Sequence, residues 1–389
     1  MITEAAAPTT FRWDRLTASS ALAYCLLVAC LSVGIVLPEL REQFHISGVI
    51  AALHGSTFGI GLIGMGIWGV RLIDAIGRRH AFELSFAAMV VGVTLFCVGP
   101  AWPITLFGTA ISGSGAALLN MATPGVISDH HGEHRAAAFS AVNAIPAIAG
   151  VAFSLLVGAA LRAGSSWRTP YLALTLAIAI AFFMVARTVQ PPEGTREGTF
   201  SLRHLTNRTV TIQFLFMINA TLAEFTVGIW GVSYLQEVGG ASNGLAPMLA
   251  TAFGIAMFVG RIKLPLVLRH LGSGAITAGF LLAGLGAATM CFAPWLSIKV
   301  VGLAVVGLGG GLLYPLTVDR FYETAGHVMD SVSLGAYAAL ASGVAVTIGP
   351  LALGVLADSV GLRWAILIAP VFALVGAITQ RPRRSFITR

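Results

Sequence analysis

The sequence predicts an all-α membrane protein, with twelve transmembrane helices in two pseudo-symmetric six-helix bundles. Three observations carry that expectation. Of 389 residues, 57% are hydrophobic and 10% charged, against about 25% charged in soluble domains, so polar groups are too few to cover a surface in water. The apolar residues gather in stretches of about 20, the length a helix needs to cross a bilayer core. Patterns in the first half of the chain recur about 195 residues later, half its length.

The polar start, "MITEAAAPTTFRWDR", runs into the first apolar stretch with no small-residue cleavage site, so a removed signal peptide is not expected. That stretch is the first span, near 17–39. Spans follow near 47–73, 80–100, 102–128, 135–161 and 168–188, joined by tight turns rich in Gly, Pro, Asp and Arg. The long polar segment "TVQPPEGTREGTFSLRHLTNR" comes next. Six more spans lie near 209–236, 243–268, 273–293, 295–319, 331–357 and 362–380. The expected organisation is an N-terminal bundle over 1–188, a linker over 189–207 and a C-terminal bundle over 208–389.

The net charge of +7 does not point to nucleic acid, because the basic residues stand singly between apolar runs. Orientation accounts for it better. With both termini on one side, that side carries 18 of the 23 Lys and Arg residues. The positive-inside bias then places the termini and the linker in the cytoplasm and the chain in the inner (plasma) membrane. Cys25, Cys30, Cys97 and Cys291 all fall inside apolar runs. We read neither a disulfide framework nor a metal-ligand spacing, and no cofactor is implied.

The repeat has three parts. At an offset of 195, Phe58, Gly59, Ile60, Ile67 and Gly77 meet Phe253, Gly254, Ile255, Ile262 and Gly272. At 194, "GSGAALL" (113–119) meets "GLGGGLL" (307–313). With one residue inserted, "GAALRAGSSWRTPYLAL" (158–174) parallels "GVLADSVGLRWAILIA" (354–369). Three matches in one order at nearly one offset indicate parallel repeats about an axis along the membrane normal.

Twelve spans in two sixes, a polar central linker and the segment "DAIGRR" (Asp74 to Arg79) resemble the major facilitator superfamily, whose 2–3 loop reads G-x-x-x-D-[RK]-x-G-[RK]-[RK]. The resemblance covers nearly the whole chain. Two positions depart from the pattern: the first Gly falls on Val70, with Gly69 one place early, and Ala75 follows Asp74. The resemblance implies a transporter that works by alternating access. It further implies that Asp74, Gly77, Arg78 and Arg79 form a conformational latch, Asp74 reaching the start of the eleventh helix near Asp330 to Ser333. A carboxylate at a helix N-terminus gains roughly 0.3–1 kcal/mol when exposed, enough to bias a two-state equilibrium. The alternative is a charge cluster serving only orientation.

Charges inside spans are costly and so mark functional sites by default. Glu224 lies sixteen residues into the seventh span, roughly 24 Å at 1.5 Å per residue, near the bilayer midplane. It is the candidate for proton coupling; the alternative is a Glu hydrogen-bonded into helix packing with Asn219 or Thr226. His54 is a second proton-coupling candidate. Arg261 resembles an Arg that carboxylate-carrying relatives use to grip their anion, and its guanidinium fork suits a carboxylate. Arg261 and Lys263 could instead snorkel to the headgroups.

In the superfamily the first, fourth, seventh and tenth helices face the cavity. Here that nominates Tyr24, Asn120, Asn219, Glu224, Trp230 and Tyr314, with Asn143 of the fifth helix beside them. A sparse polar set on an apolar wall suits a small, partly hydrophobic organic solute. Drug/proton antiporters usually carry an Arg where Thr109 stands and a Gly-Pro pair in the fifth helix, which "NAIPAIAGVAFSLLVG" lacks. Phosphorylated solutes are disfavoured, because no Arg or Lys lies deep in the N-terminal half.

The expected function is therefore secondary active transport of a small organic solute across the inner membrane, coupled to protons through Glu224 and His54, with drug-like or metabolite efflux set against an organic-anion carrier using Arg261. A non-transporting solute sensor and a membrane enzyme are remote alternatives. For the latter, "SDHHGEHR" (128–135) offers irregular spacing in a loop. The expected partners are the substrate, protons and the lipid bilayer, with no nucleic acid and the chain acting as a monomer.

Overall fold

The computed structural model describes residues 13–131, 135–186, 201–329 and 331–379. Among them every regular element is helical. Asp14 caps α1 (Arg15–Leu31), accepting from the Thr17 amide at 2.8 Å. A 3₁₀ stretch, Ser32–Val36, then leads to α2 (Leu37–Phe44). In a bilayer each carbonyl released by such a break needs a partner. Tyr171 supplies one, its hydroxyl donating to the Ser32 carbonyl at 2.8 Å.

The next helix, α3 (Gly48–Val98), runs for 51 residues, where the sequence predicts two spans with a loop between them. Both views are compatible because Gly77 breaks it at φ 79°, ψ 155°. That region is open only to glycine. Gly61 and Gly92 both lie against the same point of the following helix, at Gly113 and Ser112. Residues 31 apart in a straight helix would be roughly 46 Å apart, so the chain doubles back at Gly77. "DAIGRR" is thus helix on either side of a one-residue turn.

Helices α4 (Trp102–His131), α5 (Arg135–Arg162) and α6 (Arg168–Ala186) complete the first half. The second half contains α7 (Arg208–Glu237), α8 (Leu245–Leu271), α9 (Gly274–Phe292), α10 (Leu296–Ala325) and α11 (Ser331–Val360), and ends in the short α12 (Leu362–Ala365) and α13 (Ile368–Thr379). Most of the expected linker, 189–200, lies outside the described residues. Among the described residues nine helical stretches are long and apolar enough to cross a membrane. Successive helices alternate direction, which defines two faces. The terminal face holds the start of α1, Gly77 and the ends of α4 and α8; the far face holds the turns near 45–47, 99–101, 163–167, 238–244 and 361.

Large apolar side chains point outward: Phe107, Phe183, Leu285 and Ile378 are 62%, 65%, 63% and 67% exposed. In water that surface would associate; against lipid it is the required one. Inside, one core gathers Leu26, Phe96, Phe153 and Tyr171 from the first half. Others gather Trp230, Tyr234 and Met290, and Phe214, Phe321 and Tyr337, from the second. The halves meet where the first part of α3 lies on α11, where α5 lies on α8, and where α7 crosses the 3₁₀ stretch. Without a hydrophobic drive between helices in lipid, small residues must bring them together. At the far face, Gly158 and Gly244 do so: a Cβ on Gly158 would stand 2.7 Å from the Gly244 carbonyl oxygen.

Candidate functional site

Between the halves lies a cavity of about 370 Å³. It is walled by the 3₁₀ stretch and the end of α1, by α5 around Pro146 to Ser154, and by α7 and α8. Its surface is mostly apolar, with Ile35, Phe225, Ile229, Phe253 and Met257 among the lining residues. Among the described residues two charged ones line it: Glu224 and Arg261.

Glu224 is 1% exposed. Its Oε1 stands 4.0 Å from Nη2 of Arg261, while Oε2 is buried and has no hydrogen-bond partner among the described residues. The carboxylate stem lies over Gly310 of α10, where a Cβ would sit 2.7 Å from Cγ of Glu224. Glycine at 310 therefore makes the room that Glu224 occupies. Among the described residues neither Asn219 nor Thr226 is hydrogen-bonded to this carboxyl. Asn219 donates to the Phe372 carbonyl at 2.9 Å, and Thr226 lies against Gly349. A buried oxygen without a partner is unusual and costly, and such groups mark sites where a proton or ligand is handled.

Arg261 is half exposed and faces the cavity from α8. At 4.0 Å the pair is an ion pair at the limit of contact, so the guanidinium fork keeps donors free for a second anion. Lys263 is exposed on the same helix.

The other sequence candidates are placed as follows. Tyr24 is buried and its hydroxyl donates to Oδ1 of Asn120 at 3.4 Å, joining α1 to α4. Trp230 is fully buried and its indole N–H donates to the Pro350 carbonyl at 3.1 Å, tying α7 to α11. Tyr314 is half-buried one helical turn beyond Gly310, on the same face of α10. The side chain of Asn143 lies outside the described residues. His54 is 1% exposed and held at both ring nitrogens, Nδ1 to the Ile50 carbonyl at 2.9 Å and Nε2 to Oγ1 of Thr105 at 2.9 Å. It is a link between α3 and α4 and does not line the cavity.

On the terminal face, Asp74 is exposed and Arg78 half-buried, and Arg79 pairs with Glu83 at 3.0 Å one turn on. Asp330 and the side chains of Ser331 and Val332 lie outside the described residues; Ser333 is buried.

Contacts that sequence reasoning did not single out join the halves at the far face. Asp358 of α11 caps α3 across the halves, its two oxygens accepting from the Gly48 and Val49 amides at 2.9 and 3.1 Å. Arg41 of α2 forms an ion pair with Glu237 of α7. Ser154 donates to the Pro247 carbonyl at 2.8 Å between α5 and α8. The available signal was opposite charges at the far-face ends of spans in different halves.

Removing the Asp358 carboxylate should loosen this seal by about 1 kcal/mol, roughly fivefold in a two-state equilibrium. In Asp358→Ala, a cysteine introduced at the cavity residue Val232 should react faster with an impermeant thiol reagent applied from the far face. An unchanged rate would show that the cap does not hold the gate.

A helical membrane protein whose two halves enclose an apolar cavity with one charged pair has the architecture of a solute transporter. The family model described as Major Facilitator Superfamily matches residues 17–337, and the chain belongs to that superfamily. It is 24% identical over 359 residues to an uncharacterised transporter, y4wD, of Sinorhizobium fredii, covering 88% of this chain and 90% of that protein. Among solved structures it resembles the nucleoside transporter NupG, with a TM-score of 0.76 and 13% identity over 94% of this chain and 98% of that one. It also resembles a D-xylose-proton symporter, with a TM-score of 0.74 and 16% identity over 94% and 96%.

Proposed function

We propose that this protein is a proton-coupled secondary transporter of a small, partly hydrophobic organic solute, in which Glu224 carries the proton and Arg261 is its switchable partner. The observation that carries the reading is the buried Glu224 carboxyl, with one oxygen unpartnered and the other 4.0 Å from a half-exposed guanidinium at the cavity wall. Ionised, Glu224 is neutralised by Arg261. Protonated, it leaves Arg261 as an uncompensated cation in an apolar cavity, where it would draw an anionic or strongly dipolar solute group. Solute and proton are thereby linked through one guanidinium. The fold is compatible with such coupling, since a D-xylose-proton symporter shares it.

The cavity volume of about 370 Å³ lies near the lower end of small-molecule sites and its wall is largely apolar. That favours a compact solute with one polar end. An organic anion whose carboxylate sits on Arg261 is the second reading, favoured by the exposed fork. The proposal includes twelve spans, a monomer in the inner membrane with cytoplasmic termini, and alternating access, with this structure sealed at the periplasmic side by Asp358, Arg41 and Glu237.

Two gates of opposite sense should respond oppositely. If Asp74 latches the cytoplasmic side in the outward-open state, Asp74→Asn should favour the inward-open state and increase labelling of a cysteine placed at Ala336 on the cytoplasmic half of α11. Unchanged labelling would leave Asp74 without a gating role.

The reading as a whole is tested by screening metabolites and drug-like compounds for thermal stabilisation of the purified protein at two pH values. The solutes found are then followed in proteoliposomes with an imposed pH difference. Gradient-dependent accumulation is expected. Equilibration without accumulation would make the protein a uniporter.

A further inference from the structure

We propose that Asp14, His130 and His131 form a divalent transition-metal site on the terminal face, suited to Zn²⁺ and joining the start of α1 to the end of α4. Nothing in the transport reading calls for two imidazoles and a carboxylate there. The sequence separates Asp14 from His130 by 116 residues, and the helix packing brings them together. His130 Nε2 lies 2.6 Å from Oδ2 of Asp14, and His131 Nε2 lies 3.8 Å from the same oxygen. The ligand atoms of all three residues fall within 4.8 Å of one another. The two rings stand edge to face with centroids 4.8 Å apart, which lets neighbouring positions on one helix aim their Nε2 atoms at one point.

Around a tetrahedral ion with bonds of about 2.0–2.1 Å, ligand atoms are about 3.3 Å apart. Closing the site on a metal therefore needs shifts of roughly 1 Å or less in side chains that are partly exposed. The carboxylate is prepared for the role. Thr17 holds Oδ1, with amide and hydroxyl both at 2.8 Å. Oδ2 is thereby turned toward the imidazoles, the arrangement that outer contacts give to metal-bound carboxylates.

The His131 Nε2 contacts Oγ1 of Thr17 at 2.8 Å, a contact the metal would replace. Each imidazole binds as the neutral base through Nε2 with its proton on Nδ1, and any Nε2 proton leaves to solvent on binding. Two imidazoles with one carboxylate suit zinc and its neighbours, whereas calcium and magnesium take oxygen ligands.

The test uses the full-length protein purified without a polyhistidine tag and titrated first with Co²⁺ as a visible probe, then with Zn²⁺. One equivalent of Co²⁺ should give an absorption band that Zn²⁺ removes, and Zn²⁺ should raise the melting temperature. Asp14→Asn keeps an oxygen for Thr17 and so keeps the helix cap, but loses the charged ligand; it should lose the band and the shift while melting as the metal-free parent does. His131→Gln should weaken binding at least about tenfold. His80→Gln, altering a histidine bonded to its own helix at the Ile76 carbonyl, should bind as the parent. Equal binding by parent, Asp14→Asn and His131→Gln would overturn the site, as would a parent with no stoichiometric band, which would leave His130 and Asp14 as a pair that shares only a proton.

Discussion

Glu224→Gln should still bind solute and still exchange it across proteoliposomes, yet fail to accumulate it when a pH difference is imposed. Glutamine reproduces the shape and hydrogen bonding of the protonated acid without the titration, so the binding geometry survives and the coupling does not. Each unit of pH difference is worth about 1.4 kcal/mol per proton, about tenfold in the solute ratio that one coupled proton sustains. In the variant that ratio should fall to one. The substitution also leaves Arg261 without its counter-charge, 4.0 Å away in the parent, so an anionic solute should bind the variant at least as tightly. Accumulation equal to the parent's would return Glu224 to a structural role.

Arg261→Lys separates charge from geometry. The ammonium keeps the cation and can still neutralise Glu224, but it cannot offer two parallel N–H donors to a carboxylate. Losing one charge-assisted hydrogen bond costs about 1.5–3 kcal/mol, roughly 10- to 150-fold in affinity. For an organic anion the expected result is a large rise in the half-saturating concentration with the pH-gradient dependence retained. For a neutral, largely apolar solute both should change little. The same variant therefore distinguishes the two solute classes, and transport of an anion at parental affinity would mean that the fork does not hold it.

The fold was legible because the bilayer leaves few options: runs of about 20 apolar residues must be helices with every backbone group paired internally. The turn at Gly77 was legible as a boundary but not as a single residue, since the flanking residues are good helix formers and only the backbone shows the positive φ. Glu224 and Arg261 stood out singly because a charge at membrane depth is expensive. That they meet was hidden, because they lie on different helices and the contact depends on how α7 and α8 cross. Helices apolar on every side carry no stripe to say which face looks inward. So Asn219 and Trp230, nominated from their helix, turn to Phe372 and Pro350. Asp358, Arg41 and Glu237 were not singled out, because each is an ordinary charge at the end of a span, and only the assembled halves show that they meet across the far face. The meeting of Asp14 with His130 and His131 was equally out of reach, joining one end of the first bundle's path to the end of its fourth helix.

In the proposed cycle Glu224 takes up and releases a proton. Infrared difference spectra of the protein in lipid, recorded as the pH is stepped across the range in which transport is observed, test it without any solute. The parent should show a protonated-carboxyl C=O band that appears and disappears with pH, and Glu224→Gln should lack that band while leaving the other bands in place. The same titrating band in both proteins would contradict the account.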